Sequence, residues 1–246
     1  MPLDLTALLT ARAAQLNADL KGADAEVVLD TALRNAKVGD LAMVSSFGAE
    51  SVVLLHLLSR VAPDTPVLFL ETGMLFPETL AYQREVAETL GLTDVRVIRP
   101  DSLDLFLHDP EGDLHQRDAD TCCALRKTKP LELALQAFDG WITGRKRHQT
   151  ADRAEMALFE VDAGKLKINP LAHWTREDIA AHMDAHDLPR HPLVAQGFAS
   201  VGCAPCTTKV APGEDARAGR WRGRVKTECG IHFSAGRIYP GLHKGA

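Results

Sequence analysis

Five cysteines are the residues of this 246-residue chain whose type and spacing most clearly predict chemistry. Four stand in two pairs, adjacent at Cys122 and Cys123 and two residues apart at Cys203 and Cys206. Four thiolates can close a metal site, and adjacent ligands suit an iron–sulfur cube because each sulfur can bind a different iron atom. Zinc, whose ligands usually stand two to four residues apart, stays open as the alternative metal. The fifth, Cys229, is left over and is the candidate nucleophile.

Composition limits the classes of protein to consider. Residues 1–5 lack the basic and apolar regions of a secretory signal, so we expect a cytoplasmic chain with reduced thiols and no disulfides. A net charge of −5 argues against non-specific binding to nucleic acid. No apolar run approaches the length of a membrane span, so no membrane partner is expected. The length and the hydrophobic content of 46% predict one large domain, or one domain with an appendage, and a substantial core.

Short apolar runs alternate with helical patterns after two N-terminal helices that are predicted within residues 3–37. The runs that predict buried strands lie at residues 41–44, 66–70, 94–98 and 141–143, and a strand at 165–168 is predicted to lie at the sheet edge. Alternation of this kind predicts an α/β fold with a parallel sheet in three α/β/α layers. The acidic stretch 101–120 is predicted to be a surface loop, and Cys122 and Cys123 are predicted to open a helix.

Polar loops follow three of the predicted strands. The loop from Ser45 to Ser51 joins a strand to a helix, a geometry that points backbone N–H groups at a phosphate. It is neither a Walker A sequence nor a dinucleotide fingerprint, and a plain helix N-cap by Ser45 or Ser46 is the alternative. The basic loop 144–149 follows the fourth strand. Ligands of parallel sheets bind at the carboxyl ends of strands, so the loop from Ser45 to Ser51 and the stretch Glu71–Gly73, which follows the second strand, are expected to face one crevice. The basic residues gathered at 145–147 and 217–226 predict a basic pocket suited to a small anion.

Two histidines, His182 and His186, stand four residues apart in a helix that a capping box from Thr175 to Asp178 is predicted to open. Such a pair could bind a metal ion. Because no acidic or cysteine partner stands at helical spacing, we do not assign them to a metal site.

Several of these stretches together resemble one family, the adenosine phosphosulfate/3′-phosphoadenosine phosphosulfate reductases, and in particular its assimilatory adenylyl-sulfate reductases. The similar stretches occur in the family's order and are Ser45–Ser51, Glu71–Gly73 with Phe76–Thr79, Cys122-Cys123 with Arg126-Lys127, Thr143–Arg147 with Gln149, Cys203 with Cys206, and Glu228–His232. The two cysteine pairs and the last stretch are the specific ones.

The resemblance implies an adenine nucleotide α-hydrolase-like fold with a 4Fe–4S cluster on Cys122, Cys123, Cys203 and Cys206. It implies that Cys229 attacks the sulfur of adenosine 5′-phosphosulfate, forms an S-sulfocysteine and releases AMP. Thioredoxin, or a glutaredoxin, would then release sulfite, as a step of sulfate assimilation. The chain would divide into N-terminal helices packing on the core (1–38), a nucleotide-binding and iron–sulfur α/β domain (39–210) and a mobile C-terminal tail that carries Cys229 (211–246).

The resemblance also implies a set of substrate contacts, which it assigns residue by residue. Lys127 would stand between cluster and substrate, and Arg153 matches the arginine after the glutamine-containing motif, with a spacing that differs by one residue. The remaining implied contacts are Ser45, Ser46 and Gly48 in the phosphate loop, Arg217 and Arg220 at the sulfate end, and His232, which would close the tail over the site.

One departure from the family's pattern bears on the substrate. Ser46-Phe47-Gly48 is similar to the loop of members that use 3′-phosphoadenosine 5′-phosphosulfate, which generally lack the four paired cysteines. The complete cysteine set favours adenosine 5′-phosphosulfate, and the 3′-phosphorylated substrate, or both, is the alternative. An ATP-using tRNA-thiolating enzyme of the same fold and a redox-sensing cluster protein without nucleotide binding are the other hypotheses. A homo-oligomer is left open.

Overall fold

A computed structural model of the chain describes residues 5–35, 38–224, 226 and 228. Within these residues one sheet is formed by β1 (Leu41–Ser45), β2 (Val67–Leu70), β3 (Val95–Ile98), β4 (Gly140–Thr143), β5 (Phe159–Asp162) and β6 (Lys165–Ile168). The order across the sheet is β3-β2-β1-β4-β6-β5, and all neighbouring strands run parallel except β5 and β6. The predicted α/β fold with a largely parallel sheet is confirmed.

Helices connect the strands and precede the sheet. They are α1 (Leu5–Asp19), α2 (Ala25–Arg34), α3 (Ser51–Val61), α4 (Pro77–Thr89), α5 (Ser102–His108), α6 (Leu114–Arg117), α7 (Ala119–Cys123), α8 (Lys129–Ala134) and α9 (Arg176–Ala185), with a π-helical segment at Ala124–Thr128 between α7 and α8. The two helices predicted before the sheet are therefore present. No helix in the described residues is both long and apolar enough to cross a lipid bilayer.

The sheet buries side chains on both faces. Alternate residues of a strand point to opposite faces, and Met43, Phe69 and Ile142 belong to the larger apolar cluster, which also contains buried residues of α1, α2, α3, α4 and α9. Their neighbours Leu68 and Trp141 belong to a second cluster, together with residues of α8. Helices on both faces give the three predicted layers.

The prediction that residues 165–168 form an edge strand is wrong. The strand β6 lies inside the sheet, between β4 and β5, and the antiparallel β5 forms the edge. The two lysines of this strand suggested exposure to solvent, but Lys167 is only 2% exposed. Its Nζ lies 2.5 Å from an oxygen of Asp162 and 5.1 Å from the centre of the Trp141 ring. Pairing with a carboxylate and an aromatic face allows the ammonium group to be buried.

The stretch 101–120 is not the loop that its acidic composition predicted. Two of its aspartates cap short helices: Asp101 accepts hydrogen bonds from two backbone N–H groups at the start of α5, and Asp118 does the same for α7. Cys122 and Cys123 close α7 rather than open a helix, and the π-helical segment follows them directly.

The capping box that was predicted before α9 is present. Thr175 Oγ1 accepts a hydrogen bond from the backbone N–H of Asp178 at 3.1 Å, and the Asp178 carboxylate accepts one from the Thr175 backbone at 2.8 Å. This arrangement satisfies N–H groups that have no partner inside the helix. It sets the first residue of α9 at Arg176, which lies at the cleft described below.

Part of the predicted C-terminal tail is described. The backbone N–H of Thr208 donates to Gly219 at 2.8 Å, and that of Trp221 donates to Cys206 at 3.0 Å, so residues 208–221 fold back beside the second cysteine pair. Trp221 is buried. The positions of Cys229 and His232, and most of the segment that was expected to be mobile, lie outside the described residues.

A buried ion pair connects the π-helical segment to the sheet. Arg126 Nη2 lies 2.6 Å from Asp109 Oδ2, and Arg126 Nη1 donates to the carbonyl of Thr72, just after β2, at 2.9 Å. The other oxygen of Asp109 accepts the backbone N–H of Leu114 at the start of α6, at 2.8 Å. Both charged side chains are almost completely buried. The pair therefore holds the segment after Cys123 against the turn that follows β2.

Asp109→Asn is expected to lower the free energy of unfolding by about 3–5 kcal/mol, because it leaves the buried guanidinium of Arg126 without its counter-charge. Denaturant titration of the purified variant measures this change. Asp113→Asn is the matched control. Asp113 Oδ1 lies 2.7 Å from Arg117 Nη2, and both side chains are exposed, so this substitution should lower the free energy of unfolding by at most about 1 kcal/mol. Equal losses in the two variants would contradict the importance of the buried pair.

Candidate functional site

A cleft of about 220 Å³ opens at the carboxyl ends of β1 and β4. From β1 the chain proceeds to β2 on one side of the sheet, whereas β4 lies on the other side, so the strand order reverses between β1 and β4. Such a switch point leaves a crevice between the loops that diverge from the two strands. Ser45 and Ser46 after β1, and Gly144 after β4, line it. Thr72, which follows β2, also lines it, so the two stretches after β1 and β2 that were predicted to face one crevice do so.

The loop after β1 is anchored by its own side chains. The backbone N–H of Phe47 donates to Ser45 Oγ at 3.2 Å, and that of Gly48 donates to Ser51 Oγ at 3.0 Å. Neither Ser45 nor Ser46 is the N-cap of α3, because that position is Glu50, so the plain N-cap interpretation is wrong.

Phe47 fixes this loop to the core. It has a φ of 46°, an uncommon conformation for a residue with a side chain. Its ring is fully buried and packs edge to face against Phe69, with centroids 5.2 Å apart. Burial of this ring offsets the strained backbone. Phe47, the residue shared with family members that use the 3′-phosphorylated substrate, therefore faces the core, while Ser46 and Gly48 line the cleft.

The cleft is strongly basic in a chain whose net charge is −5. Among the described residues, the basic side chains that line it are Lys127, Arg145, Lys146, Arg153, Arg176, Arg217 and Arg220. Two carboxylates, those of Glu50 and Glu228, also line it. A concentration of positive charge in a concave site attracts small anions.

Glu50 holds one half of the basic group. Its carboxylate lies 2.8 Å from the Nζ of Lys146, which is only 2% exposed, and accepts a longer bond from Gln149 at 3.4 Å. Gln149 in turn accepts the backbone N–H of Lys146 at 3.1 Å. Burial raises the pKa of Glu50, but the charges of Lys146 and His148 together lower it by more, so the net shift is downward. The carboxylate is therefore ionised at neutral pH and balances the buried ammonium group.

Glu228 holds the other half. Its carboxylate accepts hydrogen bonds from Arg153 Nη2 at 2.6 Å and from Thr150 Oγ1 at 3.0 Å, and it lies 3.6 Å from Arg217 Nη2. The Glu228 side chain is almost fully buried. The residue that follows it in the sequence is Cys229.

Two arginines keep unused donors at the cleft. Within the described part of the chain, the buried Nε atoms of Arg153 and Arg220 have no hydrogen-bond partner. Arg220 donates through Nη1 to the carbonyl of Val201 at 3.2 Å, and its guanidinium lies 4.5 Å from the centre of the Trp221 ring. An unsatisfied buried donor is costly, and a bound anion would remove this cost through a charge-assisted hydrogen bond.

The paired cysteines approach one another around the turn after β2. Thr72 Oγ1 lies 3.2 Å from Cys203 Sγ, and Leu75 forms an isolated antiparallel bridge with Cys203. On the other side of this turn, Met74 packs against the cluster that contains Cys122, and its carbonyl accepts the backbone N–H of Ala204 at 2.8 Å. The turn therefore connects the two cysteine pairs, and Cys203 also reaches the cleft.

The electrostatics of these thiols fit a metal centre. Burial raises the pKa of Cys122 to about 11, with further upward contributions from Cys203 and Cys206. Burial and Cys203 likewise raise the pKa of Cys206, while Lys127 and Arg224 oppose this shift. Bare thiolates would repel one another here. A bound metal centre would offset this repulsion, because its positive metal ions stabilise the deprotonated sulfurs. Four sulfurs in two pairs, three of them buried and that of Cys206 partly buried, are a donor set that fits a 4Fe–4S cluster.

Lys127 connects the cysteines to the cleft. It lines the cleft, and its charge lowers the pKa of the Cys206 thiol. It follows Arg126 in the π-helical segment, which begins directly after Cys123. Segments of π-helix occur frequently at functional sites.

The structure brings together all of the described residues that the sequence predicted to contact a substrate. Those that line the cleft are Ser45, Ser46, Gly48, Lys127, Arg153, Arg217 and Arg220. The carboxylates of Glu50 and Glu228 were missed, because an acidic residue has no sequence signature as the counter-charge of an anion site. Arg145 lines the cleft but bonds to Asn169 Oδ1 at 3.0 Å and pairs with Glu160, so it also supports the end of the sheet.

Comparison with known proteins identifies the family. The phosphoadenosine phosphosulfate reductase domain matches residues 40–209. A protein of Chelativorans sp. strain BNC1 named adenosine 5′-phosphosulfate reductase is 50% identical over 210 residues, which cover 85% of this chain and 86% of that protein. A protein of Gloeobacter violaceus named phosphoadenosine 5′-phosphosulfate reductase is 42% identical over 213 residues, which cover 84% of this chain and 88% of that protein.

A solved structure supports the fold. The phosphoadenylyl-sulfate reductase of Candida auris, crystallised as a phosphate complex, superposes with a TM-score of 0.69 at 24% identity, covering 80% of this chain and 96% of that one. At this identity the likeness shows the fold alone. The domain match and the identity to curated relatives confirm the resemblance that the motifs indicated: this chain belongs to the phosphoadenosine phosphosulfate reductase family and is an oxidoreductase.

Proposed function

We propose that this protein reduces adenosine 5′-phosphosulfate to sulfite and AMP, with electrons from an external dithiol protein such as thioredoxin or glutaredoxin. One observation carries the proposal: a single cleft combines a strand–loop–helix phosphate site, unused arginine donors and an edge formed by Cys203 and Lys127. The names of relatives in Chelativorans and other bacteria support the substrate. Thiol chemistry of this kind fits the reducing cytoplasm.

The substrate carries two anionic groups, and the cleft offers two places for them. The loop of Ser46 and Gly48, at the start of α3, suits the phosphate, because backbone N–H groups and a helix N-terminus favour negative charge. Arg153, Arg217 and Arg220 suit the sulfate end, since planar guanidinium groups bind oxyanions through paired hydrogen bonds.

Cys229 is the proposed nucleophile. Its thiolate attacks the sulfur of the phosphosulfate, a sulfur–sulfur bond forms, and the bond from sulfur to the phosphate oxygen breaks with its electron pair leaving on AMP. One thiolate of the external dithiol then attacks the Cys229 sulfur and expels sulfite, and its second thiol resolves the mixed disulfide. The dithiol is oxidised to a disulfide, the sulfonate sulfur is reduced to sulfite, and Cys229 is regenerated.

The anchoring of Glu228 supports this role. Glu228, which immediately precedes Cys229 in the sequence, lines the cleft and is held there by Arg153 and Arg217. The cations that bind Glu228, Arg153 and Arg217, would also favour a thiolate over a thiol at that place. His232 is proposed to cover the site together with this segment.

A 4Fe–4S cluster on Cys122, Cys123, Cys203 and Cys206 completes the proposal. When bound, the cluster would offset part of the thiolate charge and fix the arrangement of the two cysteine pairs beside the cleft. Lys127 lies at the boundary between the cysteines and the cleft, because it lines the cleft and its charge acts on the Cys206 thiol.

The 3′-phosphorylated nucleotide is the second candidate substrate. The relative in Gloeobacter violaceus is named for it, and Phe47 occurs at the position typical of members that use it. Because the Phe47 ring packs against Phe69 in the core, packing is sufficient to explain a phenylalanine here, and the residue does not by itself indicate the 3′-phosphorylated substrate. We therefore favour adenosine 5′-phosphosulfate.

The nucleophile is tested by giving ³⁵S-labelled adenosine 5′-phosphosulfate to the purified protein without a dithiol. We expect about one labelled sulfonate per chain on the peptide that contains Cys229 and one equivalent of AMP, and weaker labelling from the 3′-phosphorylated analogue. Equal or stronger labelling from the analogue would shift the substrate assignment. ATP hydrolysis without an adduct would favour a thiolating enzyme, and an iron-containing protein with neither reaction would favour a redox sensor.

The division of the cysteines is tested by a reciprocal pair of variants purified without oxygen. Cys206→Ser should lose most of the iron and labile sulfide, and because Cys206 is only partly buried, its packing contribution is small. Cys229→Ser is the matched control, which should keep the iron and lose the labelled adduct. Full iron in Cys206→Ser, or sulfite production by Cys229→Ser, would show that the assignment is wrong.

The role of the arginines is tested by calorimetric binding of adenosine 5′-phosphosulfate in the Cys229→Ser background, where turnover is blocked. Arg220→Ala should weaken binding by about 10- to 100-fold, the loss expected for charge-assisted hydrogen bonds. Arg222→Ala is the matched control, because Arg222 is exposed and lies outside the cleft. Its Nη2 atom lies 2.9 Å from Glu214 Oε2. Indistinguishable affinities in the two variants would refute a substrate contact by Arg220.

A further inference from the structure

Three histidines converge away from the cleft. His56 comes from the middle of α3, His182 from the last turn of α9 and His186 from the C-cap of α9. His56 Nδ1 lies 3.0 Å from His182 Nε2, and one ring nitrogen of each histidine lies within 4.8 Å of the other two. None of the three is among the described residues that line the cleft.

We propose that His56, His182 and His186 bind one divalent transition-metal ion of the zinc class, at a site separate from the cysteines. Imidazole nitrogens are ligands that zinc, nickel and copper prefer. A tetrahedral site with metal–nitrogen bonds of about 2.0–2.1 Å places its nitrogens roughly 3.4 Å apart. The observed separations, from 3.0 Å to at most 4.8 Å, bracket this value, so small side-chain movements suffice. Three histidines leave a fourth position for water.

The backbone already holds the three rings together. Residues four apart share one face of a helix, and His186 N–H donates to the His182 carbonyl at 3.2 Å, so α9 presents both rings on the same side. The ring of His186 lies 4.6 Å from that of His56 and 4.4 Å from that of His182, between centroids. Trp174 packs edge to face against His182, with centroids 5.3 Å apart, and limits its rotation. A preformed arrangement lowers the entropic cost of binding.

The surroundings of His56 and His182 favour the neutral form of these two rings, which is the form that coordinates a metal ion. Burial, followed by the neighbouring His182 and His186, lowers the pKa of His56 to about 4. Burial and His186 also lower the pKa of His182. Neutral imidazoles can therefore coordinate a metal ion without first losing a proton at neutral pH. The nearby charges of Glu26 and Arg60 pair with each other at 2.7 Å and largely cancel.

Such an ion would join two helices that begin at the cleft. Ser51, the first residue of α3, and Arg176, the first residue of α9, both line the cleft. At a rise of 1.5 Å per residue, His56 and His182 lie about 8–9 Å along their helices from these starting points. The ion would therefore stabilise the framework behind the phosphate loop without contacting the substrate. This inference does not depend on the proposed reaction.

The site is tested by equilibrium dialysis of the anaerobically purified protein against zinc, with zinc and iron counted in the same samples. We expect one zinc per chain with no loss of iron, and a rise in Tm of about 5–10 °C at a 100-fold excess over Kd. His186→Ala removes an exposed side chain and should weaken zinc binding at least about 10-fold. Loss of a residue that only hydrogen-bonds a metal ligand already weakens metal affinity by about this factor. His56→Ala should do the same.

His108→Ala is the matched control, since His108 is exposed on α5 and lies outside the group. It should bind zinc as the unmodified chain does. The proposal is overturned if the unmodified chain binds no zinc, or if His186→Ala binds it with unchanged affinity. Zinc uptake that only replaces iron, and that is equal in all variants, would assign the metal to the cysteines and also overturn the proposal.

Discussion

Repulsion among like charges is the constraint on which the cleft depends. Many basic side chains point into one crevice of an acidic protein, and they can be held there only if their charges are partly balanced. The structure does this with two carboxylates that each bind several partners. Glu50 holds Lys146 and Gln149 together, and Glu228 holds Arg153 with Arg217. The balance is incomplete, so positive charge remains for an anionic ligand.

This balance also connects the loop after β1 with Glu228, the residue that precedes the proposed nucleophile in the sequence. Glu50 ends the loop after β1, whereas Glu228 immediately precedes Cys229 in the sequence. The same arginine, Arg153, donates to both Gln149 and Glu228, so the two halves share one side chain. A substrate oxyanion that engages these cations would compete with Glu228 for them. Under the proposed function, substrate binding would therefore compete with the ion pairs that hold the Glu228 side chain.

For the paired cysteines, burial is the dominant electrostatic effect. They lie where burial disfavours a bare thiolate, and the pKa of Cys122 is raised accordingly. A thiol in such a place is a poor nucleophile but a good metal ligand once a cation is present. The buried pair of Arg126 and Asp109 holds the adjoining π-helical segment in place. The protein thus places sulfurs in an environment suited to ligation, and it brings Lys127 from the same segment to the edge of the cleft.

The strand β5 was not predicted, but the sequence alone determined the fold class, the other five described strands and the group of loops that meet at the cleft. These follow from local rules, because apolar periodicity defines strands and the carboxyl ends of parallel strands share one edge. The tertiary structure decided what depends on distant partners. Lys167 lies in an interior strand because Asp162 and Trp141 receive its charge, and Phe47 faces the core because Phe69 packs against it. His56 meets His182, which lies 126 residues further along the chain, and no spacing within a single helix could reveal that contact.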